Sequence, residues 1–284
     1  CHQVHGSLGV VAEMLGFEPG ELQVISGGVN HFNWLVDIRR RGTGASCLEE
    51  FKSSVKKSKW WKRVYRRIPE QVFTLDILNT FGEYPVGYDT HILEYVPFFY
   101  DPAEWERRGY ESQLIALRRE RRAQKRKQRG SDKQVLAAQV KARAEFYNFP
   151  FPKDGNHPYY QEKPTEVMEA FETNTPLYMT SIVIPNHGSI ENLPEDAIVD
   201  IPAVAVGGQV RGVHVGRLPA FGAELCRRQI AIHELLAEAV VTADRQKVAQ
   251  SMALDPHVRS IRQARQITDA FMKFYRQELP QFWK

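Results

Sequence analysis

An extended, β-branched segment interrupted by two glycines and a histidine constrains this chain more than any other stretch. The run Leu22-Gln23-Val24-Ile25 alternates between apolar and polar residues, and Leu35-Val36-Asp37-Ile38 resumes the pattern. This periodicity predicts two strands, and Gly27-Gly28 between them predicts a break that turns side chains into a pocket. His31 lies in the break beside Asn30. A histidine in such a place is more often structural than a ligand, so its role depends on the residues that accompany it.

Length and composition fit one large globular domain or two modest ones, because 284 residues can bury a sizeable core. No apolar run approaches the ~18 residues that suggest a membrane span, and no signal-peptide pattern opens the chain. We therefore expect a cytoplasmic protein with no membrane partner. The three cysteines, Cys1, Cys47 and Cys226, are odd in number and far apart, unlike a disulfide framework.

Two basic segments leave open a nucleic-acid interface. Arg118–Arg129 carries eight basic residues against one acid, and Lys52–Arg67 carries eight basic residues with Trp60, Trp61 and Tyr65 among them. Clustered cations with aromatic side chains can bind phosphates and stack bases. A solvated helix face explains both segments equally well. We favour that explanation and expect no nucleic-acid partner.

The remaining periodicity predicts both helices and strands. Predicted helices are Gly6–Leu15, Glu49–Asn79 with a kink at Pro69, Trp105–Tyr147, Thr165–Thr173, Phe221–Lys247 and Ser260–Glu278. Predicted strands, joined by Asn-His-Gly and Gly-Gly turns, are Leu177–Pro185, Ala197–Val206 and Gly212–Arg217. The Tyr- and Phe-rich stretch Phe81–Pro102 is predicted as a loop-bounded segment. No Gly-x-Gly-x-x-Gly opens a β-α-β unit, so the chain shows no dinucleotide fingerprint of its own.

Three clusters could carry chemistry. Cys1 and His31 are good ligand types for a borderline divalent metal, and two protein ligands leave positions open for substrate oxygens. Gly87–Tyr95 concentrates titratable groups in an aromatic segment, which suits acid–base work, although an aromatic core turn explains it as well. Asn186–Asp196 contains an Asn-His-Gly sequence that is first of all a turn.

Several segments in a fixed order together resemble one enzyme family. They are Cys1–Val4, Gly28–Trp34, His91–Pro97, Asn186–Pro194, Val199–Pro202, Val215–Pro219 and Glu234–Thr242. In this order they are similar to the metal-site cysteine, metal-site histidine, catalytic-tyrosine and C-terminal motifs of glycoside hydrolase family 4, the NAD- and metal-dependent glycosidases.

The resemblance implies a fold and a domain arrangement. The fold is α+β, like the C-terminal domain of the lactate/malate dehydrogenase superfamily, with a twisted, mostly antiparallel sheet packed by long helices. Residues 1–284 would form the metal- and sugar-binding C-terminal domain. An N-terminal Rossmann domain carrying the NAD fingerprint is expected ahead of Cys1, and a homo-oligomer is expected because the family tends to assemble.

The resemblance also implies an activity and a set of site residues. The activity is hydrolysis of O-glycosidic bonds in unphosphorylated α-linked hexosides, with NAD and Mn²⁺ or another divalent metal as cofactors. Cys1 and His31 would hold the metal, Asn30 would donate to sugar hydroxyls, and Tyr95 would take the C2 proton after NAD oxidises C3. This family lies outside the two-carboxylate scheme of most glycosidases. Its assisting carboxylate falls where this chain has Thr90, so Asp89 is the candidate proton donor.

Alternatives stay open at this point. Cys1-His2-Gln3-Val4 is similar to the branch acting on unphosphorylated sugars, but an α-glucuronidase, α-galacturonidase or 6-phospho-glycosidase of the same family is compatible with the sequence. A hydroxy-acid dehydrogenase-like oxidoreductase is a further alternative, since that superfamily uses a histidine as acid–base. The motifs around Cys1 and Tyr95 argue against it.

Overall fold

The computed structural model describes residues 2–54, 72–99, 101 and 164–283. The chain divides into two compact units, Cys1–Tyr100 with Thr165–Lys284, and Asp101–Pro164. Apart from its two end residues, the second unit lies outside the described part. So do Cys1, the Pro69 kink, the helix predicted at Trp105–Tyr147 and the basic segment Arg118–Arg129.

The described residues of the first unit form helices around one antiparallel sheet. Its helices are α1 (His2–Leu15), α2 (Leu48–Ser54), α3 (Val72–Phe81), α4 (Asp89–Tyr95), α5 (Pro164–Thr173), α6 (Ala220–Thr242), α7 (Arg245–Leu254) and α8 (Ile261–Phe274). The first residue of α5, Pro164, is the last residue of the second unit. Its strands are β1 (Leu22–Val29), β2 (Phe32–Arg40), β3 (Pro85–Val86), β4 (Leu177–Pro185), β5 (Ile198–Val206) and β6 (Gln209–Gly212). Among the described helices, none combines the length and apolarity needed to cross a membrane.

Strand order confirms the predicted α+β class with an antiparallel sheet. The order is β3-β2-β1-β5-β4, and β6 pairs with β5. Every strand pair in the described part is antiparallel. Such sheets can be built from short hairpin connections, and β1–β2 and β5–β6 are both of that kind.

The β1–β2 hairpin carries the first sequence motif. Its register runs from Leu22 opposite Arg40 to Val29 opposite Phe32, leaving only two residues for the turn. The break predicted at Gly27-Gly28 is therefore wrong, because both glycines lie inside β1. Gly28 is there for a different reason: a Cβ at this position would lie 2.3 Å from the carbonyl oxygen of Phe32.

The later strands follow the sequence pattern with one exception. Leu177–Pro185 and the strand predicted from Ala197 are confirmed, the second beginning at Ile198. The strand predicted at Gly212–Arg217 is wrong, because β6 ends at Gly212. Pairing resumes directly after the Gly207-Gly208 turn, with Val206 opposite Gln209, so the returning strand lies earlier than the apolar pattern indicated.

The predicted helices differ from the observed ones mainly at their ends. The single helix predicted over Phe221–Lys247 is two helices, since Ala243 adopts a left-handed conformation at φ +57° and ends α6. Asp244 then caps α7 by accepting from the backbone N–H groups of Gln246 and Lys247. Ser260 caps α8 in the same way through the Gln263 N–H. Side-chain caps of this type satisfy the first unpaired donors of a helix.

The hairpin is buried on both faces near its turn. On one face, Leu35 and Ile38 join an apolar cluster that includes residues of α1, α2 and α3. On the other, Trp34 is fully buried and packs against α6, where a Cβ at Gly222 would lie 2.4 Å from the indole. Cys226, on the same helix, is fully buried as predicted for a core residue. This burial holds the hairpin turn in place at the end of β1 and the start of β2.

Candidate active site

His31 lies in the two-residue turn that connects β1 and β2. Its backbone is left-handed, with φ +64°. Non-glycine residues adopt this conformation rarely, and histidine is among those that tolerate it. Strain of this kind, about 1–3 kcal/mol, persists only where surrounding structure enforces it, and it is concentrated at functional sites. The buried strand residues on either side, Val29 and Phe32, supply that enforcement, and the imidazole between them is partly exposed.

Helix α4 brings the predicted tyrosine to this turn. The Tyr95 hydroxyl donates to the backbone carbonyl of Asn30 across 3.0 Å. The Tyr95 ring also stacks on Phe32, with ring centres 4.3 Å apart and planes within 11°. The structure therefore brings together the predicted residues Asn30, His31 and Tyr95, although they come from a hairpin and a helix separated by more than fifty residues of sequence.

A second histidine on α4 reaches the turn as well. His91 lies one helical turn before Tyr95, and its ring contacts His31 edge to face with centres 4.9 Å apart. Residues four apart share one face of a helix, so His91 and Tyr95 flank the turn together. From the sequence, His91 belonged to the titratable cluster Gly87–Tyr95 and to the catalytic-tyrosine segment His91–Pro97, without a role of its own.

The surroundings of Tyr95 disfavour its ionised form. Burial and then the negative charge of Glu94 raise the pKa of the Tyr95 hydroxyl from 10.0 to about 12. Burial also raises the pKa of the nearby Cys226 thiol to about 12. A tyrosine with such a pKa is almost entirely protonated near neutral pH and so cannot take up a proton. A neighbouring cation is needed to favour the phenolate, which can.

Asp89 occupies a different place from the one its predicted role suggested. Its carboxylate is 3% exposed and accepts from the backbone N–H groups of Phe73 and Thr74, each at 2.9 Å. These N–H groups belong to the first turn of α3, whose unpaired donors need acceptors. Asp89 therefore ties α4 to the start of α3. Its role as proton donor stays a prediction, and any such role has to operate from this buried, hydrogen-bonded position.

The predicted metal ligands are seen in part. His31 is described, whereas Cys1 lies outside the described residues. Within the described ranges, no three or more His, Cys, Asp or Glu side chains are grouped so that they could hold a metal ion. The imidazoles of His31 and His91 are nevertheless borderline donors of the kind that bind divalent transition metals such as Zn²⁺ or Ni²⁺. The residues present at the turn thus fit a divalent metal that takes further ligands from elsewhere.

A row of buried polar residues crosses the sheet from β2 to β4, and the sequence did not predict it. The Asn33 amide donates to the Asp200 carboxylate at 2.9 Å, and both residues are 1% exposed. The Ser181 hydroxyl donates to the other Asp200 oxygen. Gly28 lies between Asn33 and Asp200 in the sheet register, so its missing side chain lets the pair meet. An acid inside the apolar run Val199–Pro202 was the available signal.

The third sequence cluster is a loop held by its own asparagines. The Asn186 side chain accepts from the Ile190 N–H at 2.7 Å and donates to the Pro194 carbonyl at 2.9 Å. Asn192 bonds both backbone groups of Leu218 at 2.9 Å. These contacts confirm the turn interpretation and join two of the segments that carried the family resemblance.

The fold and site together define a recognisable class. The fold, helices around an antiparallel sheet, is consistent with a C-terminal domain like that of lactate and malate dehydrogenases. Residues 26–258 match the family 4 glycosyl hydrolase C-terminal domain. The chain belongs to this family.

Curated relatives agree with that assignment. An α-galactosidase of Bacillus subtilis (strain 168) is 28% identical over 90% of this chain and 54% of its own length. An α-galactosidase of Rhizobium meliloti (strain 1021) is 25% identical over 99% of this chain and 56% of its own length. An α-galacturonidase of Bacillus subtilis is 26% identical over 91% and 57%. The chain spans about half the length of these relatives.

Solved structures share the fold. A 6-phospho-α-glucosidase from gut microorganisms, in complex with NAD and Mn²⁺, matches with a TM-score of 0.64 and 22% identity over 99% of this chain and 61% of the other. The 6-phospho-β-glucosidase of Thermotoga maritima, with manganese, NAD⁺ and glucose-6-phosphate, matches with a TM-score of 0.63 and 16% identity over 98% and 59%. At these identities the likeness establishes the fold.

Proposed function

We propose that this chain forms the metal- and sugar-binding part of an NAD- and divalent-metal-dependent glycosidase acting on unphosphorylated α-linked hexosides. The observation that carries the proposal is the Tyr95 hydroxyl, 3.0 Å from the backbone of Asn30 and next to the His31 turn. The proposal is supported by membership of the family and by the α-galactosidases among its relatives. An NAD-binding domain, as the resemblance implies, would complete the enzyme.

The residues of this chain divide the work. His31, with Cys1, would hold the metal, and the Asn30 amide, which is exposed at the turn, would donate to a sugar hydroxyl. Tyr95 would remove the C2 proton of the sugar, and its hydrogen bond to the Asn30 carbonyl holds the hydroxyl next to the His31 turn. When bound, NAD would oxidise C3 and the metal would act as a Lewis acid on the oxygen there, which makes the C2 proton acidic.

A bound metal would also lower the pKa of the Tyr95 hydroxyl, which burial raises. A positive charge beside a tyrosine favours the phenolate and opposes the effect of burial. Phe32 and Cys226 keep water from one side of the ring, which strengthens that electrostatic effect. The same half-buried placement that makes Tyr95 a poor base alone therefore suits it to act beside a cation.

The cofactor requirement is the direct test. Hydrolysis of p-nitrophenyl α-D-galactopyranoside by the purified enzyme, in which this chain is joined to its NAD-binding domain, should stop when bound metal is removed by chelation. It should stop separately when NAD is removed, and it should return on adding Mn²⁺ or NAD. His31→Gln should abolish Mn²⁺ binding, whereas His233→Gln, on the exposed face of α6, should not. Activity that survives thorough removal of either cofactor would contradict the proposal.

A second substrate is favoured by one comparison. The Bacillus subtilis α-galacturonidase is nearly as similar to this chain as the α-galactosidases are. Parallel assays with the α-galactoside and the α-galacturonide distinguish the two, since a carboxylate at C6 requires a cationic partner that a hydroxymethyl group does not. Preference for the uronide would replace the substrate and leave the mechanism in place.

A further inference from the structure

We propose that His91 is a second imidazole ligand of the catalytic metal, beside His31. The inference rests on the proposed function and adds one residue to the ligand pair, Cys1 and His31, that the family resemblance implies. The protein ligands of the divalent cation would then be two imidazoles and one thiolate.

The spacing of the two rings fits a shared cation. Imidazole nitrogens bind such metals at ~2.0–2.1 Å, which places two ligating rings on one ion about 5 Å apart, centre to centre. The observed separation of His31 and His91 is 4.9 Å, with the planes at 72°. Edge-to-face packing alone covers ~4.5–7 Å, so the spacing has to be combined with what the ring nitrogens contact.

The surroundings of the His91 Nδ1 atom are compatible with a metal-ligating histidine. Nδ1 is buried and has no hydrogen-bond partner within the described part of the chain. The Glu94 carboxylate lies 3.7 Å from it, one turn along α4, at a distance too long for a hydrogen bond but close enough to become one. Metal-bound histidines commonly donate the second ring N–H to a carboxylate, which fixes the tautomer. With its proton on Nδ1 facing Glu94, His91 keeps Nε2 for the metal.

The two ligands belong to elements that are tied to each other. Tyr95 joins α4 to the turn through the Asn30 carbonyl and the Phe32 ring. At the same end of α4, the His257 Nε2 donates to the Glu94 carbonyl at 3.0 Å. Because both sides are held, the imidazoles need little rearrangement to receive an ion, and preorganised ligands bind metals more tightly.

The donor set also predicts which cations bind. Two imidazoles and a thiolate favour transition-metal ions over Mg²⁺ and Ca²⁺, which prefer oxygen ligands, and within that group Mn²⁺ binds less tightly than Co²⁺ or Ni²⁺. Three protein ligands leave open positions for sugar oxygens in a six-coordinate ion. His91 therefore lowers the tendency of Mg²⁺ to replace the catalytic metal.

The experiment counts imidazoles at the bound metal. Pulsed electron paramagnetic resonance on the Mn²⁺-loaded protein resolves nitrogen couplings from coordinated histidines, and a Mn²⁺ titration gives the affinity. We expect two coordinated imidazoles in the wild type and one in His91→Gln, with Mn²⁺ affinity reduced about tenfold or more. The matched control His233→Gln should keep both imidazoles and the wild-type affinity. Glu94→Gln should keep both imidazoles and weaken Mn²⁺ binding by a smaller factor.

Each other outcome decides against the inference. Unchanged Mn²⁺ affinity and couplings in His91→Gln would overturn it. If that variant fails to fold, a single coordinated imidazole in the wild-type protein overturns it on its own, and two support it. A wild-type protein that binds Mn²⁺ through one imidazole refutes the role of His91 but not the proposed function. A wild-type protein that binds no Mn²⁺ refutes both.

Discussion

The two ends of the short helix α4 carry the two residues predicted to be catalytic, yet their environments are opposite. At its first residue, Asp89 is buried and accepts two backbone N–H groups of α3. At its last residue, Tyr95 is partly exposed and reaches the His31 turn with one hydrogen bond. A seven-residue helix thus has one end committed to holding the fold and one end presented to the site. Chemical type alone does not distinguish such residues, whereas their hydrogen-bond partners do.

Removing the Tyr95 hydroxyl should have the largest effect on activity. Tyr95→Phe keeps the ring stacked on Phe32 and deletes only the base, so the rate should fall about 10²–10⁴-fold, the contribution of a general acid–base group. Stability should fall by about 1 kcal/mol, the worth of one hydrogen bond. Exchange of the sugar C2 proton with solvent, followed by NMR, should slow in parallel with hydrolysis. Mn²⁺ affinity should not change, and C2 exchange at the wild-type rate would exclude Tyr95 as the base.

Removing the Asp89 carboxylate should act on stability first. Asp89→Ala removes the acceptor of two buried backbone N–H groups, so the free energy of unfolding should fall by about 3 kcal/mol. Urea denaturation measures this change. Asp244→Ala, at the partly exposed cap of α7, is the matched control and should lose only about 1 kcal/mol. A loss for Asp89→Ala no greater than that of the control would remove the capping role. Folded Asp89→Asn protein with normal stability and no activity would support the proton-donor role instead.

The smallest expected effect is in the titration of Tyr95. The folded protein holds this proton more tightly than the unfolded chain, because the pKa is raised from 10.0 to about 12. Its contribution to stability is therefore complete below pH 10 and is lost as the pH rises toward 12. The difference in absorbance at 295 nm between metal-free wild type and Tyr95→Phe should show one tyrosine ionising near pH 12. Glu94→Gln should lower that midpoint, and a midpoint at the ordinary value would show that Tyr95 is well solvated.

Local sequence signals predicted much of the fold. Alternating apolar residues located β1, β2, β4 and β5, and the helix predicted from Ser260 corresponds to α8, for which Ser260 is the N-cap. These signals work because strand alternation and helix capping depend on near neighbours along the chain. The break in the helix predicted over Phe221–Lys247 was missed, since Ala243 has no intrinsic preference for the left-handed conformation that ends α6.

The candidate site was predicted in part. Asn30, His31 and Tyr95 were named from motifs, and the structure places them together. The helix that presents Tyr95 was not predicted, because the aromatic and proline-rich stretch around it has the composition of a loop. His91 and the Asn33–Asp200 pair were also missed, because each becomes significant only beside a partner far away in the sequence. His91 contacts His31, 60 residues earlier, and 167 residues separate Asn33 from Asp200.

The sequence by itself determined the family, the order of its motifs and the residue types proposed to bind a metal or take a proton. Those properties are written in side-chain chemistry and local periodicity. Only the tertiary structure decided that Asp89 faces α3 and that His91 and Tyr95 face the His31 turn. The reason is physical: burial and long-range hydrogen bonds select which of several chemically equivalent side chains meet, and those partners lie far apart in the chain.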